Sequence, residues 1–305
     1  MKSDGDAVGG DRARPSTTIA PFYSPAENRS TMEVGIVARK GNPRAASLAN
    51  DVHDAVTERG ATAWIDEVTA ESLGIEPGRP VSALSGCDLA VAVGGDGTFL
   101  FAARNADGTP VLGINLGEVG FLNAVPPEEG KAAVLTEVER FRDGGMNVRE
   151  TPRLAASVGD WRSVPAANEV VVTGHRRGPG GGIDYELRVD GSLYSGGHAD
   201  GVLVATPGGS TAYNLAERGP LVHPAVDGLI VNEMCASGGM PPLAVGLDAT
   251  VTVTVPDPAG AVVVSDGRNP HEVDGPVTVE IRRTEPPMRI AGPAADFFEA
   301  LGKLS

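Results

Sequence analysis

From Val34 onward the apolar positions fall into short runs with two alternating spacings. Val34-Gly35-Ile36-Val37-Ala38 is an unbroken apolar, largely β-branched run, the pattern of a strand buried on both faces. Over 45–59 the spacing lengthens, so that Leu48, Val52, Ala55 and Val56 share one helical face, and Gly60 stands where a helix stops. Further buried strands are predicted at 61–65, 89–93 and 111–114, with helical runs from the glycines at 94–97 to about residue 105 and over 131–142. Strand and helix alternate, which predicts a doubly wound α/β domain over 32–143.

The pattern changes at Asp143-Gly144-Gly145. Extended runs at 154–158, 170–173, 185–189, 202–205, 251–255, 261–265 and 277–281 follow, and Asp190-Gly191, Asp266-Gly267 and Asp274-Gly275 are turn dipeptides among them. Residues 178–182 read as a flexible glycine loop. The stretch 144–290 is therefore expected to be a β-rich domain. The closing segment 294–304 is helical in pattern and apolar at Phe297, Phe298 and Leu301, so it requires a docking surface. Residues 1–31 are polar, without periodicity, and read as a disordered tail; because the first strand begins just after Met32, they also fit an upstream extension of the reading frame. The chain has no internal repeat.

Composition narrows the function. With 305 residues the chain exceeds the usual single-domain size. No apolar run approaches the roughly 18 to 20 residues of a membrane span, and the N-terminus lacks the apolar stretch of a signal peptide. Cys87 and Cys235 form neither a disulfide framework nor a metal-ligand spacing. The cytoplasm is the simplest location. Forty acidic against 25 basic residues give a formal charge of −15, and the lysines are only Lys2, Lys40, Lys131 and Lys303. Such a surface suits a salt-loaded cytoplasm, where a Debye length of roughly 3 Å at 1 M salt makes self-repulsion tolerable. An ordinary acidic cytosolic protein is the alternative. Either way nucleic acid and anionic membrane are poor partners.

The strand at 89–93 runs straight into Gly94-Gly95-Asp96-Gly97-Thr98. A side-chain-free turn at the carboxyl edge of a sheet lets backbone N–H groups approach a phosphate and take unusual φ values, and the following helix N-terminus favours an anion. Asp96 would repel phosphate unless it does chemistry, such as accepting the proton of an attacking hydroxyl. Neither a Walker A sequence nor a GxGxxG at the first strand–helix turn is present. A second polar segment, Thr206-Pro207-Gly208-Gly209-Ser210-Thr211-Ala212-Tyr213-Asn214, offers hydroxyls, amides and a flat ring suited to a nucleotide. Asn168-Glu169 pairs an amide with a carboxylate, a combination suited to a vicinal diol. If both touch one ligand the backbone there must be irregular, since strand neighbours face opposite ways. Taken singly, each of these segments, like His198-Ala199-Asp200-Gly201, is also an ordinary turn or loop. Arg176 and Arg177 read equally as phosphate partners or as a solvated loop.

Taken together, GGDGTFL at 94–100, GINLGEVGFLN at 113–123, NEVVV at 168–172, ADGVLVATPGGSTAYNLAERGPLVHP at 199–224 and the Val-Ser-Asp266-Gly267 turn make the sequence resemble the NAD kinase family, of the archaeal kind, over about residues 32–304. The resemblance implies transfer of the terminal phosphoryl of ATP, or of polyphosphate, to the 2′-hydroxyl of the adenosine ribose of NAD, with Mg²⁺ or Mn²⁺. It implies an α/β N-terminal domain, a β-rich C-terminal domain, a segment 291–305 returning to the first domain, and homodimers or homotetramers with NAD sites formed partly across subunits. By position, Asp96 matches the general base and Gly97 the adjoining phosphate contact. Asn168 and Glu169 match the pair on the ribose diol, and Asp200 an acid near the nicotinamide end. His198 stands where relatives carry a basic residue. Thr211, Ala212, Tyr213, Asn214 and Ala216 match the loop around the NAD adenosine, and Phe121 an aromatic lining the pocket. Gly208 departs from a common Thr, which is expected to loosen its loop. Residues 234–242 and Glu118 depart as well, on the donor side. Two rivals follow: a lipid or sphingoid kinase, which also uses a GGDGT loop, and a catalytically weak NAD-binding regulator.

Overall fold

The structure is a computed structural model that describes residues 31–75, 77–117, 120–178 and 180–302. The tail expected over 1–31, apart from Thr31, and the departure at Glu118 lie outside the described residues.

The first half is built from β1 (Glu33–Ala38), α1 (Pro43–Glu58), β2 (Thr62–Ile65), α2 (Glu67–Leu73), β3 (Leu89–Gly94), α3 (Asp96–Ala106), β4 (Val111–Asn115) and α4 (Pro127–Arg142). Asn42 caps α1 by accepting the Ala45 N–H, and Pro43 takes a first-turn position where its missing N–H costs nothing. Ala45, Ala49, Val52 and Val56 then form the buried stripe laid on the sheet. Asp66 caps α2, and Gly74 ends it in the left-handed region. The strands lie parallel in the order β2-β1-β3-β4. Because the chain steps outward from β1 to β2 and then back to β3, the strand order reverses between β1 and β3. Ligands of open α/β sheets bind in the crevice at such a point.

The second half contains β5 (Val148–Val158), β6 (Trp161–Arg162), β7 (Glu169–Thr173), β8 (Ile183–Val189), β9 (Ser192–Ala199), β10 (Gly201–Ala205), the short α5 (Tyr213–Ala216), β11 (Gly228–Met234), β12 (Leu243–Gly246), β13 (Val251–Val255), β14 (Ala261–Ser265), β15 (Arg268–Val273), β16 (Val277–Ala291) and α6 (Phe297–Leu301). An antiparallel sheet runs β12-β11-β10-β7-β14-β15. Its central strands are buried on both faces: Val170, Val172, Val202 and Val204 pack against Leu187, Val253 and Val279 of the other sheet, while Val171, Leu203 and Ile230 pack outward against Tyr213 and Val222. Double burial explains why these strands read as continuous apolar runs rather than as alternation.

The long β16 joins the halves. It pairs antiparallel with β13 and β5, and at Ile290 it lies parallel to Val111 of β4, so one sheet continues from the α/β half into the β half. The two-domain α/β and β-rich architecture expected from the sequence is therefore present. The closing helix is shorter than expected: α6 starts at Phe297, with Asp296 accepting the N–H groups of Phe298 and Glu299. Phe297 rests on Phe121 and His223, at ring-centre distances of 5.9 and 5.1 Å.

Candidate active site

β3 delivers the glycine loop to the carboxyl edge of the sheet, at the reversal point. The expected unusual φ values are absent, since Gly94, Gly95 and Gly97 all avoid the left-handed region. Gly94 is small for packing reasons: a Cβ there would lie 2.4 Å from the Thr98 hydroxyl. At Gly95 and Gly97 a Cβ would meet nothing within 4 Å. Neither backbone strain nor protein packing requires glycine at these two positions. They border a cleft of about 630 Å³ whose walls also include Arg39, Lys40, Thr98 and Arg268. That volume is ordinary for a small-molecule site.

Asp96 opens α3 and turns its carboxylate toward the chain after β4. It accepts the backbone N–H of Phe121 at 3.2 Å and of Asn123 at 3.3 Å. Burial raises its pKa, and these N–H groups oppose the rise. Gly120 leaves room for the carboxylate, because a Cβ there would lie 2.3 Å from Oδ1. Asn123 in turn donates to the Gly94 carbonyl, and Gly113 clears space for its side chain. The GGDG and GINLGEVGFLN motifs thus form one packed unit around a half-buried acid.

Asn168 sits in a bend just ahead of β7, and Glu169 is the first strand residue, so the backbone is irregular at the pair. Two turns grip it, the one after β10 and the one between β14 and β15. Thr206 donates its hydroxyl to the Ala167 carbonyl and its N–H to the Asn168 carbonyl. Gly209 approaches so closely that a Cβ would lie 2.0 Å from the Asn168 oxygen. Asp266, at φ 48 in the β14–β15 turn, accepts the N–H groups of Ala167, Asn168 and Glu169 at 3.0, 2.8 and 3.3 Å. Its buried carboxylate also faces Arg104 of α3 at 3.9 Å. Ala167 packs among Phe99 and Ala103 of α3, which sets the Asn168-Glu169 bend beside the helix that starts at Asp96.

Glu169 is 4% exposed, yet its Oε2 has no hydrogen-bond partner among the described residues. Burial and then the neighbouring Asp266 charge push its pKa up to about 7, partly offset by the Tyr213 backbone N–H. The Asn-Glu pair and the Tyr213 loop, far apart in sequence, are therefore neighbours. Within that loop Thr211 donates to the Gly208 carbonyl, and Ala212 donates its N–H to Gly209. Asn214 is fully buried: its amide donates to the Ser210 and Pro220 carbonyls, and its oxygen accepts from Asn232. Ala216 ends α5 at the surface. Gly208 keeps an ordinary φ and has room for a Cβ, and the loop around it is pinned by Thr206, Ser210 and Asn214.

His198 and Asp200 bond to the 174–182 loop. Asp200 accepts the Gly178 N–H at 2.9 Å. The two ring nitrogens of His198 face Asp184 and the Gly181 carbonyl, and these two acceptors raise its pKa. The same loop carries Arg177, which donates to the Tyr213 hydroxyl at 2.8 Å. Asp266, Arg104 and Asn123 are site residues that sequence reasoning did not assign. Asp266 and Asn123 were visible only as members of quoted motifs, without a role of their own, and Arg104 carried no local signal.

A glycine loop with a half-buried acid at its helix start, together with a β-rich half whose buried Glu169 keeps one unpartnered carboxylate oxygen, fits a phosphotransferase with a nucleotide-type acceptor. Family models described as ATP-NAD kinase N-terminal domain and ATP-NAD kinase C-terminal domain match residues 34–140 and 167–291. A NAD kinase of Halorubrum lacusprofundi is 67% identical over 276 residues, covering 90% of this chain and all of that one. One of Halobacterium salinarum is 53% identical over 281 residues, with the same coverage. An NAD kinase from Archaeoglobus fulgidus, solved in complex with ATP, superposes at TM-score 0.71 with 26% identity, over 90% of this chain and 97% of that one. Yeast NADH kinase complexed with NADH shares the fold, at TM-score 0.78 and 21% identity over 93% and 92% of the two chains. The chain belongs to the NAD kinase family. The lipid-kinase and regulator readings are not favoured by these matches, and relatives from halophilic archaea accord with the acidic composition.

Proposed function

We propose that this enzyme transfers the terminal phosphoryl of ATP to the 2′-hydroxyl of the adenosine ribose of NAD, with Asp96 as general base and Asn168 and Glu169 holding the ribose diol. The observation that carries the acceptor assignment is the partnerless Oε2 of Glu169, since a buried acceptor without a donor is costly and a ribose hydroxyl supplies one. Tyr213, beside Glu169, gives the adenine a face, with Thr211, Ala212, Asn214 and Ala216 forming its loop and Phe121 a further wall. The donor lies in the cleft against Gly95 and Gly97, held mainly by the 32–143 domain, while the 144–290 domain holds NAD and the closing segment, through Phe297, packs back on the first.

A divalent ion, Mg²⁺ or Mn²⁺, would enter with the donor phosphates. Among the described residues no three carboxylate, imidazole or thiolate groups gather as a resident metal site, and Mg²⁺ characteristically binds through substrate phosphates with one or two carboxylates. Its chemistry would be neutralisation of charge on the transferred group. His198 and Asp200, at the Thr173 end of β7 while Glu169 stands at its start, fit an acceptor site completed by a second subunit in a homodimer or homotetramer. Leu193, 60% exposed on the edge strand β9, is an apolar group that such a partner would cover. Among the described residues no helix is long and apolar enough to cross a membrane, in keeping with a cytoplasmic enzyme.

Two substitutions test the assignment, assayed in high KCl with Mg²⁺, ATP and NAD. Asp96→Asn is expected to retain NAD binding and lose turnover by about 10²–10⁴-fold, the usual worth of a general base. Glu169→Gln is expected to raise the KM for NAD with that for ATP unchanged. Near-normal turnover in the first variant, or an unaltered NAD KM in the second, removes the corresponding role.

A further inference from the structure

The terminal helix α6 carries two adjacent aromatic rings, and the fold places them differently. Phe298 is 71% exposed, whereas Phe297 is half-buried between Phe121 of the first half and His223 of the second. The arm leading into α6 is fixed, since Asn147 and Arg149 donate to the Gly292 carbonyl and Arg149 also to that of Pro293. Ala300 is buried at the far end of the helix. His223 is oriented in turn: its Nδ1 accepts the Ala225 N–H. The preceding Val222 both donates to and accepts from the Ser210 hydroxyl, in the loop that leads to Tyr213. Phe297 therefore rests against a well-anchored part of the acceptor half.

Its other neighbour, Phe121, lies in the stretch 120–124, which belongs to neither helix nor strand. The N–H of Phe121 donates to Oδ2 of Asp96 and that of Asn123 to Oδ1, with the Leu122 N–H facing the same carboxylate. At one end of this short run the Asn123 amide is tied to the Gly94 carbonyl. At the other end the Phe121 ring meets Phe297, at a centre distance of 5.9 Å. We propose that Phe297 is a positioning residue for the phosphoryl transfer: by backing the Phe121 ring it holds the 121–123 N–H groups on Asp96 and so fixes the direction in which that carboxylate meets the acceptor hydroxyl. This rests on the reading of Asp96 as general base. A displacement of about 1 Å caused by a remote change can cost a reaction about 10²-fold, so a ring outside the reacting centre can act on turnover through its neighbour.

The test is a double-mutant cycle of Phe297→Ala and Asp96→Asn in the full chain, read by steady-state kinetics in high KCl with Mg²⁺, ATP and NAD. Phe297→Ala is expected to lower kcat about tenfold, the upper worth of one aromatic pair expressed as a rate, with the KM for ATP near the parent value. Phe297→Tyr keeps the ring and is expected to keep the parent kcat. Phe298→Ala removes an equal ring from the same helix and is expected to leave kcat unchanged. In the Asp96→Asn background, Phe297→Ala is expected to cost nothing more, because the group it aims is gone. Phe297→Leu, which keeps apolar bulk without the ring, carries the same cycle if the alanine variant does not fold. Parent-like kcat in Phe297→Ala, an equal loss in Phe298→Ala, or a loss that persists beside Asp96→Asn would overturn the role of Phe297 and leave the base reading standing. Near-normal turnover in Asp96→Asn alone would instead remove Asp96 as base, and the positioning role with it.

Discussion

Asp266 shows how one carboxylate sets the properties of another. It accepts three successive backbone N–H groups at 167–169, and its charge adds to burial in raising the Glu169 pKa to about 7. The sign follows from the two protonation states. On the proposed contact, ribose hydroxyls would donate to the ionised Glu169, so NAD binding would expel a proton wherever the free enzyme holds one. The Kd for NAD is expected to fall by up to about tenfold per pH unit as pH rises from 5 toward 7, and to level off above 7. Asp266→Asn keeps an acceptor oxygen for the backbone but removes the charge, so the levelling should begin at lower pH. Titration calorimetry at several pH values reads both, and an unshifted profile would exclude the charge coupling. The same raised pKa makes the folded state hold more protons than the unfolded between roughly pH 4.5 and 7, so this group's contribution to stability declines as pH rises through that window.

Among the elements, the turn after β10 matters most, because its conformation places both Tyr213 and the Asn168-Glu169 bend. Gly208 and Gly209 are adjacent, and sequence gives no reason to rank them. In the structure, Gly209 has no room for a Cβ beside the Asn168 carbonyl, whereas Gly208 would meet only the Thr206 hydroxyl, at 3.6 Å. Gly209→Ala is therefore expected to lower the melting temperature and raise the KM for NAD, since backbone rather than a flexible side chain must move. Gly208→Ala should leave both near the parent values. Equal effects from the two substitutions would contradict this packing. Strands differ in legibility for similar reasons. β7 and β10 are apolar throughout and were plain in the sequence. β9 is largely exposed and lacks alternation, so only its pairing with β8 beyond the Asp190-Gly191 turn makes it a strand. β11 carries a buried Asn232, tolerated because its amide reaches the Glu217 carbonyl and Asn214.

For the whole molecule the formal charge of −15 is the dominant global term. Repulsion among like charges weakens as the Debye length shrinks from about 10 Å at 0.1 M to about 3 Å at 1 M salt. The melting temperature is therefore expected to rise as KCl increases from 0.1 to 2 M, and a flat or falling trend in scanning calorimetry would contradict that balance. Chain order by itself determined the local chemistry: the buried strand feeding the glycine loop, the acid within it, the turn dipeptides, the apolar runs of the β half, and the motif spacing that marks the family. These are short-range facts, fixed by which side chains adjoin. Tertiary structure alone decided which distant segments share a site. Asp266 lies 98 positions from Asn168, and only the antiparallel register of β7 with β14 brings them together. The same hairpin turn then carries Arg268 into the cleft at the glycine loop. Register is set by burial across both sheets at once, a property of the packed whole that no single stretch of residues encodes.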